Sequence, residues 1–237
     1  MDLWIEDQLD LLLKVKTKSE FLSGLTKAAE LLEFDYFAYG LRINMPLSSP
    51  KIEMINNYPK TWQDQYGAQN YLAIDPTVRH GMQSMRPVVW SEELFMDARP
   101  LWDDARSFGL RYGWAQSTLS MPGISGLLTL ARSSKKIDQK ELVRKSNLLV
   151  WLTQIAHQGL QEIILPELLP EASEKLTNRE TEIVRWTADG KTSCEVSMIL
   201  GIAERTVNFH LNNVMSKLNV INKTAAVVKA IQLGLIV

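Results

Sequence analysis

The sequence predicts an α/β sandwich, with a mostly antiparallel five-stranded sheet flanked by helices, followed by an all-α four-helix unit. Three observations predict it. Five β-type runs lie between residues 34 and 133, with helix-period segments before, between and after them. The stretch "LPELLPEASEK" at 165–175 breaks that pattern with two prolines and four charged residues. Beyond it, short helices closed by glycine lead into a helix with a single apolar stripe.

Residues 3–15 and 17–32 read as helices, because Leu9, Leu12 and Leu13, then Leu22, Leu25, Ala29 and Leu32, recur at helical spacing. The β-type runs are "FDYFAYGLRI" (34–43), "KIEMINN" (51–57), "PVVW" (87–90), "YGWAQSTLSM" (112–121) and "SGLLTLARS" (125–133). Helical pieces at 59–68 and 101–108 separate them, and "PG" at 122–123 makes the last two strands a hairpin. A long helix over about 138–165 follows. Proline does not continue a helix interior, so the expected division is 1–165, a linker over 166–175, and 176–237.

In the last part, Thr177 with Glu180 and Thr192 with Glu195 each form a capping-box pattern, and Gly190 and Gly201 end those helices. In "AERTVNFHLNNVMSKL" (203–218), Val207, Leu211, Val214 and Leu218 make one apolar stripe. A fourth helix over about 222–233 starts at Asn222 and is followed by Gly234.

Composition narrows the function classes. The 237 residues are 46% hydrophobic and 22% charged, ordinary for a folded protein. The start, "MDLWIEDQLDLLLKVK", is acidic where an export signal is basic, and no run approaches the about 20 apolar residues of a membrane span. A soluble, cytoplasmic protein without a membrane partner is expected. Cys194 is the only cysteine, and His80, His157 and His210 lie far apart, which argues against a disulfide or a zinc site. The net charge of −1 hides an asymmetry: residues 176–237 carry seven Lys/Arg against five acids, with no acid from Arg205 onward.

A basic helix after two short capped helices has the form of a helix-turn-helix, with 192–200 crossing the backbone of a duplex and 204–218 in its major groove. Arg205, Thr206, Asn208 and Asn212 lie off the apolar stripe, where Arg and Asn suit guanine and adenine edges. Lys191, Thr192 and Lys217 suit phosphates. The run "LTNRETEIVRWTADGKT…ILGIAERTVNFHLNNVMSKLNVINKTAAV" resembles the C-terminal domain of the LuxR family of bacterial regulators. Ala203 departs from the serine common there as a helix cap, at a cost of about 0.5–2 kcal/mol, and Val184 replaces the usual leucine.

The stretch "NYPKTWQDQYGAQNYLAIDP" (57–76) raises a different question, since Tyr58, Trp62 and Tyr66 fall four apart after Pro59. Buried Tyr and Trp rings bring apolar bodies with one polar tip each, which suits the wall of a pocket. Taken singly, Trp90 and Trp102 read as core aromatics and Asp75 as a turn cap before Pro76. This stretch, with "FDYFAYGLR", "PLSSPK", "VVWS" and "LFMDARPLWDDARSFGLRYG", resembles the acyl-homoserine-lactone-binding domain of quorum-sensing LuxR-type receptors of the SdiA and RhlR kind. The resemblance implies that Trp62 donates to the lactone carbonyl, Tyr58 donates to the amide carbonyl and Asp75 accepts the amide N–H. It further implies that Trp90 packs on the lactone ring, Tyr66 and Trp102 line the cavity, and Thr129 meets the amide or a 3-oxo group.

The implied partners are therefore double-stranded DNA, an N-acyl-homoserine lactone, a second copy of the chain through the long helix, and RNA polymerase, with no cofactor and no catalysis. A regulator retuned to another small molecule, or working without one, is the competing reading. A hydrolase is disfavoured, since "PGISG" (122–126) is one residue short of a nucleophile elbow and sits in the hairpin turn.

Overall fold

The computed structural model describes Leu12, Lys14, Val15 and residues 17–236. The helix expected over 3–15 lies otherwise outside the described residues. The chain divides into two compact units, one built mainly from the described residues up to Ile163 and the other mainly from Ile164 onward.

The first unit opens with α1 (Lys18–Leu31), whose N-terminus is capped by Thr17 accepting from the Glu20 backbone N–H at 3.3 Å. The sheet comprises β1 (Tyr36–Ile43), β2 (Lys51–Asn56), β3 (Val88–Val89), β4 (Tyr112–Met121) and β5 (Ile124–Arg132), in the order β2-β1-β5-β4-β3. β1 pairs antiparallel with β2, aligning Ala38 with Asn56 and Gly40 with Met54. β3 pairs antiparallel with β4. Helices α2 (Lys60–Ala68), α3 (Pro76–Gln83) and α4 (Arg99–Ser107) lie between strands in the chain, and α5 (Gln139–Leu168) follows the sheet.

Alternation along β1 gives the sheet two unlike faces. Phe37, Tyr39, Leu41 and Ile43 are all 0% exposed, the mark of a fully packed side. That side meets α5, where Tyr39 and His157 share a hydrogen bond of 2.6 Å between Oη and Nδ1. Burial holds the His157 pKa down to about 4, so the ring is neutral at physiological pH. On α5, Gly159 lets Phe21 of α1 approach: a Cβ there would meet the Phe21 ring at 2.1 Å. The alternate residues of β1, including Ala38 and Gly40, face the opposite side.

The expected end of α5 at 165 is corrected. Pro166 lies inside the helix, which runs to Leu168. A proline so near a C-terminus removes one backbone donor in the last turns, and the Leu169 N–H still reaches the Leu165 carbonyl at 2.8 Å. Sequence reading also misses α3, a short helix that Pro76 starts at its first position and Asp75 caps.

A buried ion cluster ties β5, α5 and the end of α1 together. Arg132 grips both oxygens of Glu141 at 2.8 and 2.7 Å, and Lys145 donates to the same carboxylate at 2.7 Å. Lys145 also donates to the Leu32 carbonyl and to Glu33, at 2.7 and 2.6 Å. Arg132, Glu141 and Lys145 are 2, 5 and 7% exposed. The Arg132 guanidinium, with Lys145, holds the Glu141 pKa down at about 2, against the opposing effect of burial.

The second unit contains α6 (Asn178–Ala188), α7 (Ser193–Leu200), α8 (Glu204–Lys217) and α9 (Lys223–Gln232). Both capping boxes form, with Thr177 and Glu180 at α6 and Thr192 and Glu195 at α7. Gly190 and Gly201 take left-handed φ values of 84° and 62°, and Asn222 caps α9 by accepting from the Ala225 N–H at 2.8 Å. The α8 stripe Val207, Leu211 and Val214 is buried to within 1%. Ala203 opens α8 with no side-chain cap, and Glu204 is the first helical residue, where an acid suits the helix dipole.

The ion cluster yields a pH prediction. A carboxylate depressed in the fold adds stability that is complete above its ordinary range near 4.5 and is lost as pH falls toward about 2. Glu141→Gln leaves two buried cations without their carboxylate and is expected to cost about 3–5 kcal/mol. Its melting temperature at neutral pH drops and its loss of stability below the ordinary carboxylate range is shallower than that of the wild type. Parallel melting curves across that range are the opposite result.

Candidate functional site

The second face of the sheet covers a cavity of about 310 Å³. Its walls come from β1, β2 and β5 on one side and from α2, α3, α4 and the segment around Trp90 and Phe95 on the other. Of the residues expected to hold a ligand, Tyr58, Trp62, Tyr66, Asp75, Trp90 and Thr129 all line it. Local structure explains the convergence. Pro59 opens α2, so Trp62 and Tyr66 stand on successive turns, and their rings meet edge-on with centroids 5.7 Å apart.

Trp102 does not line the cavity, which corrects its expected place. Leu101 and Ala105 of α4 face the space, whereas Trp102 turns into the core behind it, with its ring centroid 4.8 Å from that of Phe95. The Arg106 guanidinium lies 5.2 Å over the Trp102 ring. Adjacent helical positions point about 100° apart, and this separates Leu101 from Trp102.

Asp75 does two things at once. Its Oδ1 caps α3, accepting from the Thr77 N–H at 2.8 Å and the Thr77 hydroxyl at 2.6 Å. Its Oδ2 accepts from the Tyr66 hydroxyl at 3.0 Å and keeps lone-pair capacity for a further donor. Burial pushes the carboxyl pKa up, while the donors from Thr77 and Tyr66 pull it back. Burial, reinforced by the nearby Asp75 charge, likewise raises the Tyr58 and Tyr66 hydroxyls. Both phenols are therefore firm donors at neutral pH. The Trp90 indole N–H is buried with no hydrogen-bond partner among the described residues, and its ring lies flat on Gly113, where a Cβ would meet it at 2.3 Å.

Sequence reading missed most of the apolar lining, including Ala38, Gly40, Met54, Leu72, Val78 and Leu127. The signal for the strand residues was present: Ala38 and Gly40 occupy alternate positions of a strand whose other face is all large residues. Thr77 was missed too, although both its backbone N–H and its hydroxyl donate to Asp75.

In the second unit, Lys191, Thr192, Arg205 and Asn212 are exposed, and Thr206 is half-buried. Asn208 and Lys217, expected at a base edge and a phosphate, have hydrogen-bond partners within the unit. The Asn208 Oδ1 accepts from the Ser193 hydroxyl at 2.8 Å and from Lys223 Nζ at 3.2 Å, joining α8 to α7 and α9. Bidentate adenine reading requires that oxygen to accept from the base, so the bonds to Ser193 and Lys223 compete with it. Lys217 pairs with the buried Glu180 at 2.7 Å and donates to the Lys175 carbonyl at 3.1 Å, which draws its charge inward.

Comparison with known proteins matches residues 17–160 to the family described as autoinducer binding domain, and residues 174–230 to that described as bacterial regulatory proteins, luxR family. The chain is 44% identical to the transcriptional activator protein AnoR of Acinetobacter nosocomialis, over 238 positions that cover 100% of both chains. The crystal structure of Escherichia coli SdiA superimposes with a TM-score of 0.85 at 36% identity, covering 99% of this chain and 98% of that one. SdiA in complex with octanoyl-rac-glycerol superimposes with a TM-score of 0.80 at 36% identity, covering 97 and 95%.

Proposed function

This chain belongs to the LuxR family of bacterial regulatory proteins, and we propose that it binds an N-acyl-homoserine lactone in the cavity and, as a dimer, a pseudo-palindromic duplex site through α7 and α8. Members of the family are transcriptional regulators and not enzymes. The chain carries an autoinducer-binding region and a LuxR-type DNA-binding region, the two parts of a quorum-sensing regulator. In the division of labour we propose, the chain through α5 takes the messenger, the segment after it links, and the chain from Thr177 meets DNA.

The observation that carries the ligand reading is the convergence of Tyr58, Trp62 and Asp75 on the wall of one cavity, beside apolar lining from Ala38, Leu72, Val78, Leu101 and Leu127. A lactone amide presents the complementary set. Its ring carbonyl accepts from the Trp62 indole, its amide carbonyl accepts from the Tyr58 hydroxyl, and its N–H donates to Asp75 Oδ2. Trp90 packs on the lactone ring, Tyr66 holds Asp75 from beside it, and Thr129 meets the amide from β5. The octanoyl-rac-glycerol bound by SdiA supports a neutral acyl ligand in this fold.

For the duplex, Arg205, Thr206 and Asn212 are the base-reading face, Lys191 and Thr192 contact phosphates, and Asn208 and Lys217 set the position of α8. Exposed Val143 and Val150 on α5, seven residues apart, support a dimer through that helix. RNA polymerase is the further partner that this reading implies.

Two predictions test the two halves. Asp75→Asn retains a good helix cap but loses the acceptor at Oδ2, so lactone affinity measured by calorimetry should fall about tenfold to hundredfold with little change in ligand-free stability. Undiminished affinity sinks the assignment. On DNA, Asn212→Ala should reduce discrimination between a preferred and an altered site by about 1–3 kcal/mol, whereas Asn208→Ala should weaken all sites alike. Reversal of those two patterns in a binding assay contradicts the assignment.

A further inference from the structure

We infer that Gly40 sets the length of acyl chain the cavity accepts. The inference rests on the ligand reading above and concerns the part of the cavity away from its polar groups. On the cavity face of β1, Ala38 and Gly40 are the two small residues, and both line the space. A Cβ built on Gly40 meets no atom within 4 Å, so the volume a side chain would fill belongs to the cavity.

The position of Gly40 along the strand decides which part of a ligand it faces. Ala38 pairs with Asn56, whose side chain accepts from the Tyr58 N–H at 3.1 Å, so that register marks the polar end. Gly40 pairs with Met54, one pleat or about 7 Å further along. Val78 of α3 and Leu127 of β5 line the same space without offering side-chain hydrogen bonds. At the sheet edge, Met54 and Ile52 are 41 and 43% exposed. An acyl tail leaving the polar trio thus crosses Gly40 on its way to the β2 edge.

Nothing in the backbone demands glycine here. Gly40 is absent from the residues with positive φ, and β-branched residues are favoured in strands. A valine there fills empty space and adds apolar contact without strain. Gly40→Val is therefore expected to raise the melting temperature of the ligand-free protein while closing the path of a long tail. Gly40→Ala is expected to do the same to a smaller degree.

The test is calorimetric titration of the full-length wild type, Gly40→Ala and Gly40→Val with N-butanoyl-, N-octanoyl- and N-dodecanoyl-homoserine lactone. The expected result is an affinity for the dodecanoyl compound that falls about tenfold or more in the valine variant. The butanoyl compound should keep its wild-type affinity, and the alanine variant should fall between. An unchanged ranking of the three lactones in a valine variant that melts at or above the wild-type temperature overturns the inference and leaves the ligand reading intact. A wild type that takes none of the three overturns both. A valine variant that melts lower shows that the space is not empty, and overturns the inference too.

Discussion

A single carboxylate on the cavity wall, held by Thr77 and Tyr66, organises the polar end of the site. Asp75 is half-buried, and an ionised carboxylate there is favoured while its oxygens are hydrogen-bonded. The chain supplies the Thr77 N–H, the Thr77 hydroxyl and the Tyr66 hydroxyl, and the first two also start α3. Truncating the Asp75 side chain, unlike exchanging it for the amide, therefore disturbs a helix, a wall and a binding group together. The Val78 backbone N–H adds to these donors, and Oδ2 is the oxygen that faces Tyr66.

The sheet makes this arrangement possible by being solid on one side and hollow on the other. Four large residues of β1 are fully buried toward α5, and the ion cluster of Arg132, Glu141 and Lys145 locks the ends of the same layer. The opposite face carries Ala38 and Gly40 where large residues would close the cavity. The rigid face carries the stability, and the hollow face is left free for recognition. Burial of an acyl chain against the apolar part of that lining is favourable, and binding to the folded state alone appears as added stability of the fold.

Much of this was legible in the residues alone. Strand boundaries followed from β-type runs between turn signals, and the four C-terminal helices followed from caps and glycines whose chemistry is local. The aromatic spacing after Pro59 predicted a wall, because helix geometry alone puts Trp62 and Tyr66 together. What escaped was decided over longer range. Trp102 differs from Leu101 only by rotation about α4, and which of them meets a cavity depends on how that helix is laid down. Pro166 reads as a stop, yet a helix that continues from twenty-seven earlier residues absorbs one lost donor near its end. The engagement of Asn208 by Ser193 and Lys223 joins three helices, and no spacing within α8 announces it.

In the reading proposed above, a neutral acylated lactone binds in the space around Asp75. Thermal melting of the purified full-length chain against rising N-octanoyl-homoserine lactone measures this most directly, because binding to the folded state alone stabilises it by mass action. The expected result is a transition temperature that climbs steadily with concentration, the stabilisation reaching about 2.7 kcal/mol at a hundredfold excess over the dissociation constant. A transition that stays where it is at every concentration of lactone would contradict it.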